Sequence, residues 1–245
     1  MRTIRSFTDQ ALPLGEEVVL EGHAGQHLVR VLRMAPGDPV VLFNGDGQDY
    51  RATLTAADRR GCSARIESAQ RVNNESPLRL HLLQAIARGE KMDLILQKAT
   101  ELGVSEITPV LTERTEVKLD AERSEKRMAH WQGVLRAACE QSGRARVPQL
   151  NPPIGLTHCL ASLPPALRAT LHPDAEVALT QLNIAPSQPL QLLIGPEGGL
   201  SERDLQGADL VGFSRYRLGP RVLRTETAGL VALSVLQATH GDLGL

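Results

Sequence analysis

Two hydrophobic patterns run along the chain, and they change near residue 73. Before that point the apolar residues come in short runs: Val18-Val19-Leu20, Val40 to Phe43 and Tyr50 to Leu54, with a further candidate from Cys62 to Ile66. Runs of this length between turn residues read as strands. Asn44-Gly45-Asp46-Gly47 lies between two of them and carries hairpin-turn chemistry. Gln26 to Met34 reads as one helix, with Leu28, Val31 and Leu32 on one face and His27, Arg30 and Arg33 on the other. Together these predict a small β-barrel or sheet with one helix. Arg71 to Pro77 is polar, contains Asn73-Asn74, and reads as a linker.

From Leu78 strand and helix patterns alternate. Leu78, Leu80 and Leu82 alternate with Arg79 and His81 in a strand that ends at Ile86. Met92, Ile95, Leu96, Ala99 and Leu102 mark one face of a helix, and Gly103 is its stop. Ile107 to Leu111 is the next strand, so the segment is a βαβ unit with a parallel sheet and a right-handed crossover. A second helix runs from about Ser124 to Gly143, with Met128, Trp131, Leu135 and Ala138 on one face. Weaker strands are Ala169 to Leu171 and Val211 to Leu218. The sequence shows no internal repeat and no low-complexity tract.

Two glycine-punctuated loops near the end carry the most information. Gly195-Pro196-Glu197-Gly198-Gly199 follows the apolar run Leu190 to Ile194 and precedes Ser201 to Asp204, which has the spacing of a helix capping box. Leu218-Gly219-Pro220-Arg221-Val222-Leu223-Arg224-Thr225-Glu226-Thr227-Ala228 opens a nearly all-apolar stretch to Ala238. Both read as strand, tight loop, helix start. One such loop is ordinary turn chemistry. A pair of them, after neighbouring strands of one sheet, can build a small-molecule pocket at the strands' carboxyl ends. Arg221 and Arg224 stand where a helix start already carries positive partial charge, which suits holding an anion or a phosphate.

Composition narrows the setting. Hydrophobic residues are 42% and charged residues 22%, a globular profile. The formal net charge is −1, so any nucleic-acid contact must come from local basic clusters. The amino end lacks a signal-peptide pattern, and no apolar run is long enough to span a bilayer. Cys62, Cys139 and Cys159 are odd in number and lack metal spacing, as expected of buried, reduced thiols in a cytoplasmic protein with no metal.

Local basic clusters do occur. Arg30 and Arg33 share the face of the first predicted helix, and Arg2 and Arg5 lie near the amino end. Arg144 follows the second predicted helix, and Arg114 follows the strand ending at Leu111, on the rim that would face a ligand crevice. A solvated face, or complementation of a helix dipole, would also account for such arginines. There is no Walker-A sequence, no Gly-x-Gly-x-x-Gly after the first strand of a βαβ unit and no Gly-x-Ser-x-Gly elbow. ATP hydrolysis, dinucleotide chemistry and serine hydrolysis lose weight accordingly.

Several of these segments coincide with one family. His27-Leu28 through Val31-Leu32-Arg33, the Gly37-Asp38 turn, Gly89 to Gly103, Pro109, Thr112-Glu113-Arg114, Glu140 to Arg144 with Pro148, GPEGG at Gly195 and LGPRVLRTETA at Leu218 span nearly the whole chain. In these it resembles the bacterial 16S ribosomal RNA (uracil-N3)-methyltransferases of the SPOUT superfamily. The last two motifs together are highly specific, whereas the amino-terminal ones alone are weak.

The resemblance implies an amino-terminal PUA-like RNA-binding β-barrel over 1–73. Over 74–245 it implies an α/β knot domain with a parallel sheet and a deep trefoil knot. It further implies a homodimer that binds S-adenosyl-L-methionine and methylates N3 of a uridine in the small ribosomal subunit or its RNA. The cofactor residues would be Leu171, His172, Gly195, Pro196, Gly198, Gly199, Leu218, Leu223, Thr225 and Thr227. Arg224 is the candidate for stabilising charge on the uracil, and Glu197 is either a base or a brace for its loop. Arg2, Arg5, Arg30, Arg33, Arg114 and Arg144 are the candidate RNA contacts. Two other readings stay open at this point: a SPOUT enzyme acting at another RNA position, and a non-catalytic RNA-binding assembly factor.

Overall fold

The structure, a computed structural model, describes residues 4–20, 22–58, 61–117 and 121–244. It divides into two compact units. One comprises Met1–Glu75 with Arg136–Val147, the other Ser76–Leu135 with Pro148–Leu245. The first unit therefore takes in a second stretch of chain that a single boundary at residue 73 leaves out.

In the first unit the chain forms β1 (Arg5–Phe7), β2 (Glu17–Leu20), α1 (Gly22–Gln26), a π-helical turn (His27–Val31), β3 (Pro39–Phe43), β4 (Gln48–Ala57) and β5 (Cys62–Arg71). The sheet order is β1-β3-β4-β5-β2, with β1 parallel to β3 and the other pairs antiparallel. The predicted hairpin joins β3 to β4, and Gly45 and Gly47 take φ of 94° and 93°, a left-handed backbone that favours glycine. Alternation places Tyr50, Ala52 and Leu54 of β4 inward, in a core with Leu20, Leu28, Leu42 and Ile66.

The helix expected over Gln26–Met34 is corrected. Leu32 N–H donates to the carbonyl of His27 at 3.0 Å, a five-residue spacing that widens the turn. That spacing breaks the 3.6-residue phase on which an apolar stripe depends. Leu28 is fully buried, but Val31 is 66% exposed and Leu32 39% exposed.

The second unit holds β6 (Leu80–Ala85), α2 (Lys91–Glu101), β7 (Glu106–Leu111) and α3 (Ala121–Ser142), whose last turns belong to the first unit. It continues with β8 (Gln149–Leu150), β9 (Ile154–Gly155), α4 (Leu156–Ser162), β10 (Leu167–Leu171), β11 (Leu190–Ile194), α5 (Glu202–Leu210), β12 (Ser214–Tyr216) and α6 (Thr225–His240). The sheet is parallel, in the order β12-β10-β11-β6-β7-β8, and β9 also pairs with β7. Every residue of β11 is buried, which explains its unbroken apolar run: a central parallel strand is covered on both faces. Met92, Ile95, Leu96 and Ala99 of α2 are buried as their spacing requires, and Gly103 ends the helix at φ 79°. Among the described residues no helix is long and apolar enough to cross a membrane.

Candidate active site

Three loops leave the carboxyl ends of the neighbouring strands β10, β11 and β12. The turn after β11 doubles back tightly, with Gly199 N–H donating to the Pro196 carbonyl at 2.9 Å. A Cβ on Gly195 would lie 3.0 Å from the Leu200 nitrogen and 3.2 Å from the Gly199 carbonyl carbon. Both neighbours are backbone, so a side chain at 195 forces the turn to move. The turn then enters α5 through the predicted capping box: Asp204 N–H donates to Ser201 Oγ at 3.1 Å, and Ser201 N–H donates to Asp204 Oδ2 at 3.0 Å.

After β10, His172 N–H donates to the Tyr216 carbonyl at 2.9 Å, which holds this loop against the end of β12. After β12, the chain bends at Gly219–Arg221 and enters α6 through Arg224, whose backbone is extended. At the start of α6 the Thr225 hydroxyl donates to the Gly195 carbonyl at 2.6 Å and accepts from Gln84 Nε2 at 3.1 Å. Gln84, fully buried at the end of β6, also donates to the Ala85 carbonyl at 3.0 Å. One buried polar network thus joins the ends of β6 and β11 to the start of α6.

The loops enclose a cavity of about 270 Å³. Of the residues expected to hold a cofactor, Leu171, His172, Gly195, Pro196, Gly199, Leu218, Leu223 and Thr225 line it. Gly198 and Thr227 are not in its lining. Both candidate catalytic residues, Arg224 and Glu197, are. Sequence reasoning missed Lys91 and Tyr216 as lining residues. For Lys91 a signal existed: a cation at the first position of a helix opposes the helix dipole and needs a local reason.

The Glu197 carboxylate is braced. Its Oε1 accepts from the Arg88 N–H at 3.1 Å and from Lys91 Nζ at 3.2 Å. Burial alone would raise its pKa, but those hydrogen bonds, one from its own backbone and the Lys91 charge outweigh burial and lower it. A carboxylate whose charged form is favoured in this way is a weaker proton acceptor than a free one.

The arginines divide by burial. Arg2 lies outside the described residues. Arg5 and Arg144, two of the expected RNA contacts, both have their guanidinium groups engaged inside the first unit. Arg5 pairs with Asp49 at 2.5 Å, donates to the Cys139 carbonyl at 2.9 Å and lies over the Phe43 ring; its side chain is 9% exposed. Arg144 grips Glu75 through Nη2 at 2.5 Å and Nε at 3.1 Å, and its side chain is 5% exposed. A guanidinium this deep is stable only with such partners. Arg30 and Arg33 are exposed, Arg33 at a left-handed φ of 55°. Arg114 is exposed and donates to the Gly198 carbonyl at 2.9 Å, steadying the glycine turn from outside.

Comparison with known proteins agrees with this geometry. A family model described as an RNA methyltransferase domain matches residues 74–237, and one described as an RNA methyltransferase PUA domain matches residues 20–67. The ribosomal RNA small subunit methyltransferase E of Buchnera aphidicola is 31% identical over 99% of this chain and 98% of its own. The chain belongs to this methyltransferase E family. A second relative of that name, from Mycobacterium tuberculosis, is 30% identical over 94% of this chain and 89% of its own. Two solved structures share the whole fold. A Legionella pneumophila protein with bound SAM cofactor is 42% identical, with a TM-score of 0.96 over 99% of this chain and 100% of that one. A family member from Neisseria gonorrhoeae bound to S-adenosyl methionine is 37% identical, with a TM-score of 0.91 over the same shares.

Proposed function

We propose that this chain methylates N3 of a specific uridine in small-subunit (16S) ribosomal RNA, using S-adenosylmethionine. The observation that carries the reading is the cavity formed by the three loops after β10, β11 and β12, with the Gly195–Gly199 turn in its wall. Its lining suits this cofactor. Ile194, Leu200, Leu218 and Leu223 give apolar walls for a flat purine. Glu197 supplies a carboxylate to cationic groups, and Arg221 and Arg224 supply cations to a carboxylate. The volume of about 270 Å³ is close to that of small-ligand sites, which begin at roughly 300 Å³.

Bound there, S-adenosylmethionine supplies an activated methyl group on a sulfonium. The protein's own contribution is placement and charge. The Thr225–Gly195 contact and the Arg114 brace set the loops before any ligand arrives, so the entropy of alignment is spent in folding. Arg224, exposed at the rim, stabilises the negative charge that grows on the uracil ring as N3 loses its proton. Solvent takes the proton, and Glu197 remains ionised throughout. Arg30 and Arg33, in the first unit, contact RNA phosphates. The acting form is a cytoplasmic homodimer, and the substrate is the small subunit or an assembly intermediate.

The test is transfer of labelled methyl from S-adenosylmethionine to small ribosomal subunits that lack the modification, followed by mass mapping of nucleosides. Label recovered as 3-methyluridine is expected. Label on another atom would replace the uracil-N3 assignment, and no cofactor binding at all would overturn the enzymatic reading.

A further inference from the structure

Lys91, the first residue of α2, stands between two carboxylates from distant parts of the chain. Its Nζ is 3.2 Å from Oε1 of Glu197, in the turn after β11, and 3.6 Å from Oε2 of Glu226, in the first turn of α6. The same stretch adds the Arg88 N–H, which donates to that Glu197 oxygen. Glu226 Oε2 is buried and makes no hydrogen bond, so the nearby ammonium offsets a desolvated charge. The helix dipole at this position disfavours lysine, yet lysine is present and lines the cavity.

We propose that Lys91 is a positioning residue whose charge holds the Gly195–Gly199 turn and the start of α6 at the spacing the cofactor requires. The inference rests on the reading of this cavity as the S-adenosylmethionine site. The two walls hang on different strands, β11 and β12, and Lys91 reaches both from the segment after β6. The part-buried Thr225–Gly195 hydrogen bond joins the same two walls, while Lys91, 31% exposed, ties them through a second, charged contact. Both carboxylates lie within 3.6 Å of one nitrogen, so removing the cation leaves like charges facing each other and pushes the walls apart.

The test uses the full chain as wild type, Lys91→Met, Lys91→Arg, Glu197→Gln and the double variant Lys91→Met/Glu197→Gln. Calorimetry gives the Kd for S-adenosylmethionine. Hydrogen exchange without ligand follows the amides of Gly199 and Ala228, which are bonded to the Pro196 and Arg224 carbonyls. The Val41 amide, bonded to the Ile4 carbonyl in the first unit, is the control. Lys91→Met should raise Kd by about tenfold, equal to ~1.4 kcal/mol. It should also speed exchange at Gly199 and Ala228 while Val41 stays unchanged. Lys91→Arg should restore Kd to within about threefold of wild type. Glu197→Gln should cost less in the Lys91→Met background than alone.

An unchanged Kd in Lys91→Met, a loss that Lys91→Arg does not repair, or exchange rising equally at Val41 would overturn the proposal. If the wild-type protein takes no S-adenosylmethionine, the cofactor reading fails separately. Exchange at Gly199 and Ala228 then decides the clamp alone: faster supports it, unchanged removes it.

Discussion

Thr225 and Gly195 are 30 residues apart, and the hydroxyl of one donates to the carbonyl of the other at 2.6 Å. The contact joins the first residue of the last helix to the first residue of the glycine turn. Because the same hydroxyl accepts from buried Gln84, its removal also takes away one of the two hydrogen bonds that the Gln84 amide nitrogen donates. Thr225→Val keeps the shape and deletes both bonds. It should destabilise the protein by ~1–3 kcal/mol and weaken cofactor binding, whereas Thr225→Ser should retain most of both. Urea unfolding and calorimetry on the two variants check this.

Gly195→Ala tests the turn itself. Its Cβ would press on the Leu200 nitrogen and the Gly199 carbonyl carbon, neither of which can swing aside as a side chain does. Gly199→Ala acts differently, since its Cβ would meet nothing within 4 Å but the residue sits at φ 70°. Each should weaken S-adenosylmethionine binding by about tenfold or more, and Gly199→Ala should cost ~1 kcal/mol of stability through backbone strain. Equal wild-type affinity in both would show that the ligand does not depend on this turn.

Glu197→Gln gives a pH signature. The folded carboxyl has a pKa below its ordinary value of 4.5, so its ionised form stabilises the fold above that value. This contribution disappears as the pH falls through the lowered folded pKa. Wild type should therefore melt above Glu197→Gln at neutral pH, and the gap should close in acid. The gap should be modest, because the carboxylate is 30% exposed and solvent screens it. Methyl transfer by Glu197→Gln at saturating cofactor should persist; complete loss of turnover there would restore Glu197 as a base.

The arginines should separate into two behaviours. Arg144→Ala leaves Glu75 without its buried partner and should cost ~2 kcal/mol, below the fully buried range because Glu75 is 29% exposed. Arg33→Gln should leave thermal unfolding unchanged, and Arg30→Gln and Arg33→Gln should both weaken RNA binding. Each should reduce the slope of log affinity against log salt by about 1. Filter binding across a salt series, beside thermal melts, separates the two groups.

Local chemistry carried much of this into the sequence. The hairpin at Asn44–Gly47, the stripe of α2, the capping box at Ser201–Asp204 and the two glycine loops each depend on neighbours within a few positions. Spacing alone therefore specifies them. The π-helical turn at His27–Val31 escaped because a five-residue hydrogen bond leaves the same residue types in place while shifting their phase.

The sequence by itself determined the strand–helix alternation, the family motifs and most of the cavity lining, because those features are written in consecutive residues. Tertiary structure alone decided which charges face inward. Arg5 meets Asp49 across 44 residues, Arg144 meets Glu75 across 69, and Lys91 meets Glu197 across 106. An arginine in a basic-looking stretch reads the same whether it faces solvent or a carboxylate from a distant strand. Burial separates the two cases, since a desolvated charge persists only where the fold brings its partner to it.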